Sequence, residues 1–375
     1  MKSGRHNILN VAPLASATGK YGGPFETSLS QARLAKTQFN VKVFAPHLHG
    51  DALEISEEFE IISPKISRYS GRNNFWITFS LASTRRLSRE IRWADVVHLS
   101  FSREMFPFLA AVLALMQRKK LILQPHGMLT SRQSVVHRVL DTIAIPLVKA
   151  SNQVVALTDI EAEQLLNWGG LKRSKLTVIG NPIPSFVPSG KLLTSNQSNV
   201  VRFIARLHPR KRVLDFAEAG RLHKEWGVDS KFVVTGPDQG ELNALNPYIL
   251  DSVIEYTGPI RHDEVPQLLA HSKVFVLTSQ DEPWGNVLVT ELALGVPVVL
   301  TKSSHLSNIV AAYAAGLVVN DHDPKDISTA VRILLEMPEV EYESYRINAV
   351  RLAREVFSNE IVTRKLNDLY ELACS

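Results

Sequence analysis

Short apolar runs punctuate this chain, and longer stretches with helical spacing of their apolar positions separate them. The runs cover residues 7–11, 41–45, 95–99, 121–124, 154–157 and 176–179, then 200–204, 231–234, 254–256, 274–277, 296–300 and 317–319. They are mostly continuous rather than alternating, the pattern of strands buried on both faces. Helical rhythm predicts helices over 25–38, 106–117, 213–226, 263–270, 287–294, 307–315, 325–336 and 356–372. Strand followed by helix, repeated along the chain, is the sequence form of an α/β protein with parallel sheets. Residues 183–199 (IPSFVPSGKLLTSNQSN) interrupt the alternation with Pro, Ser, Gly and Asn and read as a linker between two such halves.

Length agrees with two halves: 375 residues exceed one ordinary domain. With 45% hydrophobic and 21% charged residues the composition is globular. The one cysteine, Cys374, can form neither an internal disulfide nor a metal cluster, which fits a reducing compartment. No secretory leader is visible, and the longest apolar run, 105–116, is about half of what a bilayer requires. A cytoplasmic protein is expected, soluble or peripheral on the cytoplasmic face of a membrane. A net charge of +5 suits small polyanions or an anionic membrane surface and gives no case for nucleic acid.

Chemistry-bearing residues fall at strand ends, where open α/β sheets place ligands. Gly22 and Gly23 follow the first strand, though a tight turn explains a Gly-Gly pair as well as a ligand loop does. His98 ends one strand and reads as structural, whereas His126 follows another and is itself followed by Gly127. Thr158 and Glu161 have the spacing of a capping box. Arg206, Arg210, Lys211 and Arg212 concentrate positive charge between a strand and a helix, an arrangement suited to an anion. Between residues 61 and 93 arginines alternate with Tyr69, Phe75 and Trp76, which reads as a solvated helix face or as a membrane-surface patch.

The most informative stretch is 279–301, SQDEPWGNVLVTELALGVPVVLT. A carboxylate pair leads into Pro283-Trp284-Gly285-Asn286, then a short helix ended by Gly295 and a buried strand. Free amides at the helix start, Gly285 to Val287, favour a phosphate. Glu282, Pro283, Trp284, Gly285, Gly295, Pro297 and Val298 match in order and spacing the signature of the retaining glycosyltransferases of family four (glycosyl transferases group one), which this chain resembles over nearly its whole length.

The resemblance implies the GT-B architecture: two Rossmann-like doubly wound domains facing across a cleft. It places an acceptor domain at 1–185, a donor domain at 186–355, and a terminal helix at 356–375 packing back on the first domain. The implied reaction moves a sugar from a nucleotide-diphosphate-sugar donor to a hydroxyl on a glycan or lipid-linked acceptor, with retention, without a metal or other cofactor. Arg206 and Lys211 would grip the diphosphate, Glu282 the sugar hydroxyls, and His126 would approach the sugar. Gly22, Gly23, Trp284, Gly285, Asn286 and Val287 would line the donor site, and Gly258, Pro259 and Ile260 would read the nucleobase edge. Asn181 is a further candidate, in a Gly-Asn-Pro turn where the family has Pro-Asn-Gly. The family's second Glu is replaced: Thr290 stands at its position, and Glu291 follows one residue late. Either Thr290 meets the ribose on a regular helix, or a distorted first turn swings Glu291 into its place. Two other readings stay open, a nucleotide-sugar epimerase or hydrolase on the same fold and a non-catalytic partner subunit.

Overall fold

The computed structural model describes residues 4–15, 23–48, 58–68, 78–130, 135–184, 187, 199–260, 268–269 and 271–375. Gly22, Tyr69, Phe75, Trp76, most of the 183–199 linker and most of the helix expected at 263–270 lie outside the described residues. The chain divides into two compact units, Met1–Pro182 with Asn359–Ser375, and Ile183–Ser358. The divisions expected after residues 185 and 355 thus fall after Pro182 and Ser358 instead.

The first unit is built on a seven-stranded sheet in the order β10-β9-β8-β7-β1-β2-β4. The strands are β1 (Asn7–Val11), β2 (Asn40–Phe44), β4 (Glu60–Ile62), β7 (Val96–Ser100), β8 (Lys120–Gln124), β9 (Gln153–Ala156) and β10 (Leu176–Val178), all paired in parallel. Three short strands, β3 (His47–Leu48), β5 (Lys65–Arg68) and β6 (Thr78–Phe79), form a separate small sheet. Neighbouring strand residues face opposite sides, so Leu9, Val97 and Leu121 pack with one layer of helices while Ile8, Val96 and Ile122 pack with another. The first layer contains α2 (Leu81–Trp93), α3 (Met105–Met116), α4 (Val135–Ala150) and α5 (Asp159–Gly169). The second contains α1 (Pro24–Ala35) and the C-terminal helix Asn359–Cys374, whose Leu366 and Tyr370 are buried against the sheet.

The second unit repeats the plan with six parallel strands in the order β13-β12-β11-β14-β15-β16. These are β11 (Val200–Ile204), β12 (Lys231–Thr235), β13 (Ile254–Tyr256), β14 (Val274–Leu277), β15 (Val298–Thr301) and β16 (Gly316–Val319). The helices between them include α6 (Val213–Glu225), α7 (Leu242–Leu250), α8 (Asn286–Ala293), α9 (Ser307–Ala312) and α10 (Pro324–Glu336).

Among the described residues, helices α4, α7 and α11 (Glu339–Val356) are absent from the linear expectation, and α2 falls in the Arg-rich stretch that reads in sequence as a helix face or a membrane-surface patch. In α11, charged residues interrupt the apolar stripe, and its burial comes from packing on α8. In α4 the polar His137, Arg138, Asp141, Thr142 and Lys149 share one side, so a helical period is present, but Pro146 stands inside the run and argues against a helix. The C-terminal helix consequently starts at Asn359 rather than Val356, which closes α11.

Candidate functional site

Each sheet has one point where the strand order reverses direction. In the second unit it lies between β11 and β14, since the chain leaves β11 towards β12 and β13 and then returns to β14 on the other side. Loops diverge there and leave a crevice at the carboxyl ends of the strands. The loop after β11 carries Arg206 and Lys211, and the loop after β14 carries Glu282. Parallel pairing of Val201 with Val274 and Arg202 with Phe275 brings the two loops out side by side.

Main-chain contacts stitch these loops together. The Gln280 amide donates to the Arg210 carbonyl at 2.8 Å, and Arg210 returns a guanidinium bond to the Asp281 carbonyl at 2.9 Å. The Thr278 hydroxyl lies 2.8 Å from the Lys211 carbonyl. A 3₁₀ turn, Pro209–Lys211, ends in left-handed Arg212, which pairs with Asp215 in the first turn of α6. The loop after β12 approaches from the other side, where the Leu207 amide donates to the Pro237 carbonyl at 2.9 Å. Gly236 makes that approach feasible: a Cβ there would sit 1.9 Å from the Ala205 carbonyl oxygen.

Lys211 Nζ donates directly to the buried carboxylate of Glu282. Burial pushes this carboxyl's pKa up, but Lys211, with help from Arg210, overcomes it and holds the group below its ordinary value. Glu282 is therefore an acceptor-only carboxylate at neutral pH. Burial lowers the Arg206 pKa, against the pull of Glu282, and its guanidinium also donates to Gln239 at 3.3 Å. Arg206, Lys211 and Glu282 thus form one charged cluster.

Helix α8 opens beside this cluster. Gly285 caps it in the left-handed region at φ 72°, and Trp284 is buried edge-on against Phe357 at 5.2 Å. The helix is regular from its first turn, with the Val289 amide on the Gly285 carbonyl and the Thr290 hydroxyl on the Asn286 carbonyl at 2.9 Å. There is no distortion to swing Glu291. Its carboxylate is fully buried with neither oxygen hydrogen-bonded, and burial raises its pKa well above the ordinary value despite the Arg202 charge. Gly258 takes φ 77°, and its carbonyl accepts the Gly236 amide at 2.9 Å, while Pro259 is exposed and Ile260 half-buried.

The first unit brings together a different set. His126 follows β8 in a left-handed conformation, φ 54°, with Gly127 also positive at 75°. Its Nε2 lies 3.1 Å from the Ser100 hydroxyl at the end of β7. Burial, with a smaller contribution from His98, lowers the His126 pKa to about 3 and leaves a neutral imidazole. His98 is structural: it is buried, 2.8 Å from the Tyr370 hydroxyl of the C-terminal helix, and burial lowers its pKa to about 4. Gly23 caps α1, and Asn181 is buried beyond β10.

Glu161 corrects the capping-box expectation. Thr158 does cap α5 by accepting the Glu161 amide at 3.2 Å, but the Glu161 carboxylate does not return to Thr158. It accepts the Gly127 amide at 2.5 Å and the Leu157 amide at 2.7 Å. Sequence spacing could not separate these uses, because Gly127 lies 34 residues away.

These two parallel, doubly wound units with charged groups at a switch point define a GT-B-type α/β protein. Residues 31–185 match the family described as Glycosyltransferase Family 4, and residues 189–351 match Glycosyl transferases group 1. The chain belongs to the GT-B group 1 glycosyltransferases. A D-inositol 3-phosphate glycosyltransferase from a Nocardioides species is 28% identical over 253 residues, 60% of this chain and 55% of that protein. A 2-deoxystreptamine N-acetyl-D-glucosaminyltransferase from Niallia circulans is 26% identical over 62% of this chain and 64% of that one. The chain spans about half the length of three of the curated relatives it matches, 55%, 50% and 49%. In fold it is similar to Anabaena HepE crystallised with UDP-glucose, with a TM-score of 0.78, 17% identity, and 98% of this chain and 99% of that chain covered.

Proposed function

We propose that this chain is a retaining glycosyltransferase that moves a sugar from a nucleoside-diphosphate sugar to a hydroxyl acceptor in the assembly of a surface polysaccharide or glycolipid. The observation that carries the reading is the Arg206–Lys211–Glu282 cluster at the switch point of the second unit. In the reaction the bond between the anomeric carbon and the diphosphate oxygen breaks, the acceptor oxygen bonds to that carbon, and the hydroxyl proton leaves towards the departing diphosphate. Negative charge grows on the diphosphate as the bond breaks. Cations already in place stabilise that charge without reorganising solvent. Arg206 and Lys211 serve this role, and the α8 amides meet phosphate. Glu282, kept ionised, accepts donor-sugar hydroxyls. The family resemblance assigns His126 to the same sugar, and a neutral imidazole fits a hydrogen-bonding role there. Retention proceeds through same-face attack, and no residue is assigned as a nucleophile. The reading requires no metal, so a chelator should leave turnover unchanged.

The UDP-glucose in the HepE crystal supplies the first probe. UDP and UDP-glucose, then the other common nucleoside diphosphates and their sugars, are titrated against the full chain by thermal shift and calorimetry. A nucleoside diphosphate that raises Tm in wild type and loses this effect in Lys211→Ala supports the reading, since a ligand held only by the native state stabilises it. Silence towards every nucleotide at millimolar concentration overturns it.

A further inference from the structure

The first unit's sheet reverses direction between β1 and β7, since the chain leaves β1 for β2 and β4 and returns to β7 on the other side. A row of side-chain hydrogen bonds crosses this point at the strand ends. It starts at the His126 turn after β8, passes through Ser100 at the end of β7, and reaches Ser28 in α1, the helix after β1. His126 Nε2 lies 3.1 Å from Ser100 Oγ, and Ser100 Oγ lies 3.4 Å from Ser28 Oγ. Ser28 Oγ donates in turn to the Pro24 carbonyl at 2.9 Å. Both serines are buried.

Each hydroxyl has one proton to give, and that sets the direction of the row. A carbonyl oxygen only accepts, so the Ser28 proton is committed to Pro24. The contact between the two hydroxyls then uses the Ser100 proton, and Ser100 has none left for the ring. Nε2 must therefore be the donor to Ser100. The opposite order, with Ser100 donating to Nε2, would turn lone pairs of two buried hydroxyls towards each other. The imidazole is neutral and has a single proton, so a proton on Nε2 leaves a lone pair on Nδ1. Nδ1 has no hydrogen-bond partner among the described residues and is not shut away from solvent.

We propose that Ser28 and Ser100 are positioning residues that hold the His126 proton on Nε2 and so present Nδ1 to the substrate as a hydrogen-bond acceptor. The ring then takes a hydrogen bond from a hydroxyl and offers none to a phosphate oxygen. That the hydroxyl belongs to the donor sugar rests on the proposed glycosyl transfer. The place of the proton does not, and it can be read without turnover.

The test is a proton–nitrogen correlation spectrum of the full chain carrying nitrogen-labelled histidine, in which protonated and bare ring nitrogens resonate far apart. The signals lost in His126→Asn identify the residue. Wild type should show the proton on Nε2 at neutral pH. Ser28→Ala frees the Ser100 proton for the ring and should move the imidazole proton to Nδ1. Ser28→Thr, whose hydroxyl can make the same bond to the carbonyl four residues back, should restore the wild-type form. Ser100→Ala should give a mixture of both forms. Turnover should follow the proton, falling about tenfold in kcat in Ser28→Ala for one lost hydrogen bond and recovering in Ser28→Thr. Alanine is favourable within a helix, and an unchanged Tm shows that the fold is kept. A wild-type proton on Nδ1, or one that stays on Nε2 in Ser28→Ala, overturns the proposal. A proton that obeys these substitutions in a chain silent towards every nucleotide would sink the glycosyl-transfer reading and leave the assignment of the proton standing.

Discussion

The carboxylate of Glu161 accepts the backbone amide of Gly127 at 2.5 Å, tying the start of α5 to the turn that carries His126. Both residues of that turn sit at positive φ, an arrangement costly for histidine unless its surroundings hold it. Glu161 supplies part of that restraint from a buried position.

Burial raises the Glu161 pKa to about 7, against the opposing effect of the Leu157 and Gly127 amides. The folded state then binds this proton more tightly than the unfolded chain, whose value is near 4.5. Stability from this group is fully present below about pH 4.5 and declines as pH rises towards 7. Glu104, also raised to about 7 by burial, adds to the slope, so the comparison must be between variants. Glu161→Gln, which resembles the protonated acid, should gain on wild type across this window by an amount on the order of 3 kcal/mol. Urea unfolding at several pH values measures it, and parallel profiles for the two proteins would refute the assignment.

Lys211→Ala and Arg206→Ala should each lower turnover by a factor of about 100 to 1000, corresponding to about 3 to 4 kcal/mol in the barrier. Glycosyl-transfer kinetics with the donor found by nucleotide titration provide the measurement. Neither change opens a core cavity, since both side chains are only partly buried. Lys211→Ala does strand the buried Glu282 carboxylate, so it should also lose stability as a fully charged neighbour is removed. Arg206→Ala separates the two effects. Wild-type turnover in Arg206→Ala would remove the diphosphate assignment.

Glu291→Gln should leave nucleotide affinity within about twofold and leave the fold as stable or more so at neutral pH, because it replaces a buried group that resists ionisation. Thr290→Glu on the same helix should tighten nucleotide binding by about 1 kcal/mol if it restores a carboxylate to the ribose. Calorimetry on both variants checks the pair. Loss of most affinity in Glu291→Gln would place the ribose contact on the wrong residue.

Gly236→Ala should destabilise the second unit by about 2 to 4 kcal/mol, since backbone, not a movable side chain, occupies the space a Cβ needs. Thermal unfolding measures the loss. The same change at exposed Gly227, which has open space around it, serves as the control for positive φ alone.

Sequence by itself determined the alternation of strand and helix and the order of chemistry along the chain. Short continuous apolar runs alternating with helical stretches suit strands buried on both faces of a parallel sheet, and Val200–Ile204 and Val274–Leu277 appear with the bounds their composition suggests. The spacing from Glu282 to Gly295 also fixed Thr290 rather than Glu291 at the family's carboxylate position. Tertiary structure decided what depends on approach between distant segments. Lys211 and Glu282 meet across 71 residues because β11 pairs with β14, and His98 meets Tyr370 across 272 because the last helix returns to the first sheet. Glu161 has the spacing of a local cap, yet the geometry of the two loops turns its carboxylate to Gly127. The outward valines of α4 were equally illegible, because its apolar arc is wider than the part that packing covers, and the pattern does not say which part stays exposed. Local pattern sets which elements form, since hydrogen bonding and burial within a few residues dictate it. Which side chains meet depends on how those elements pack, and no window along the chain contains that information.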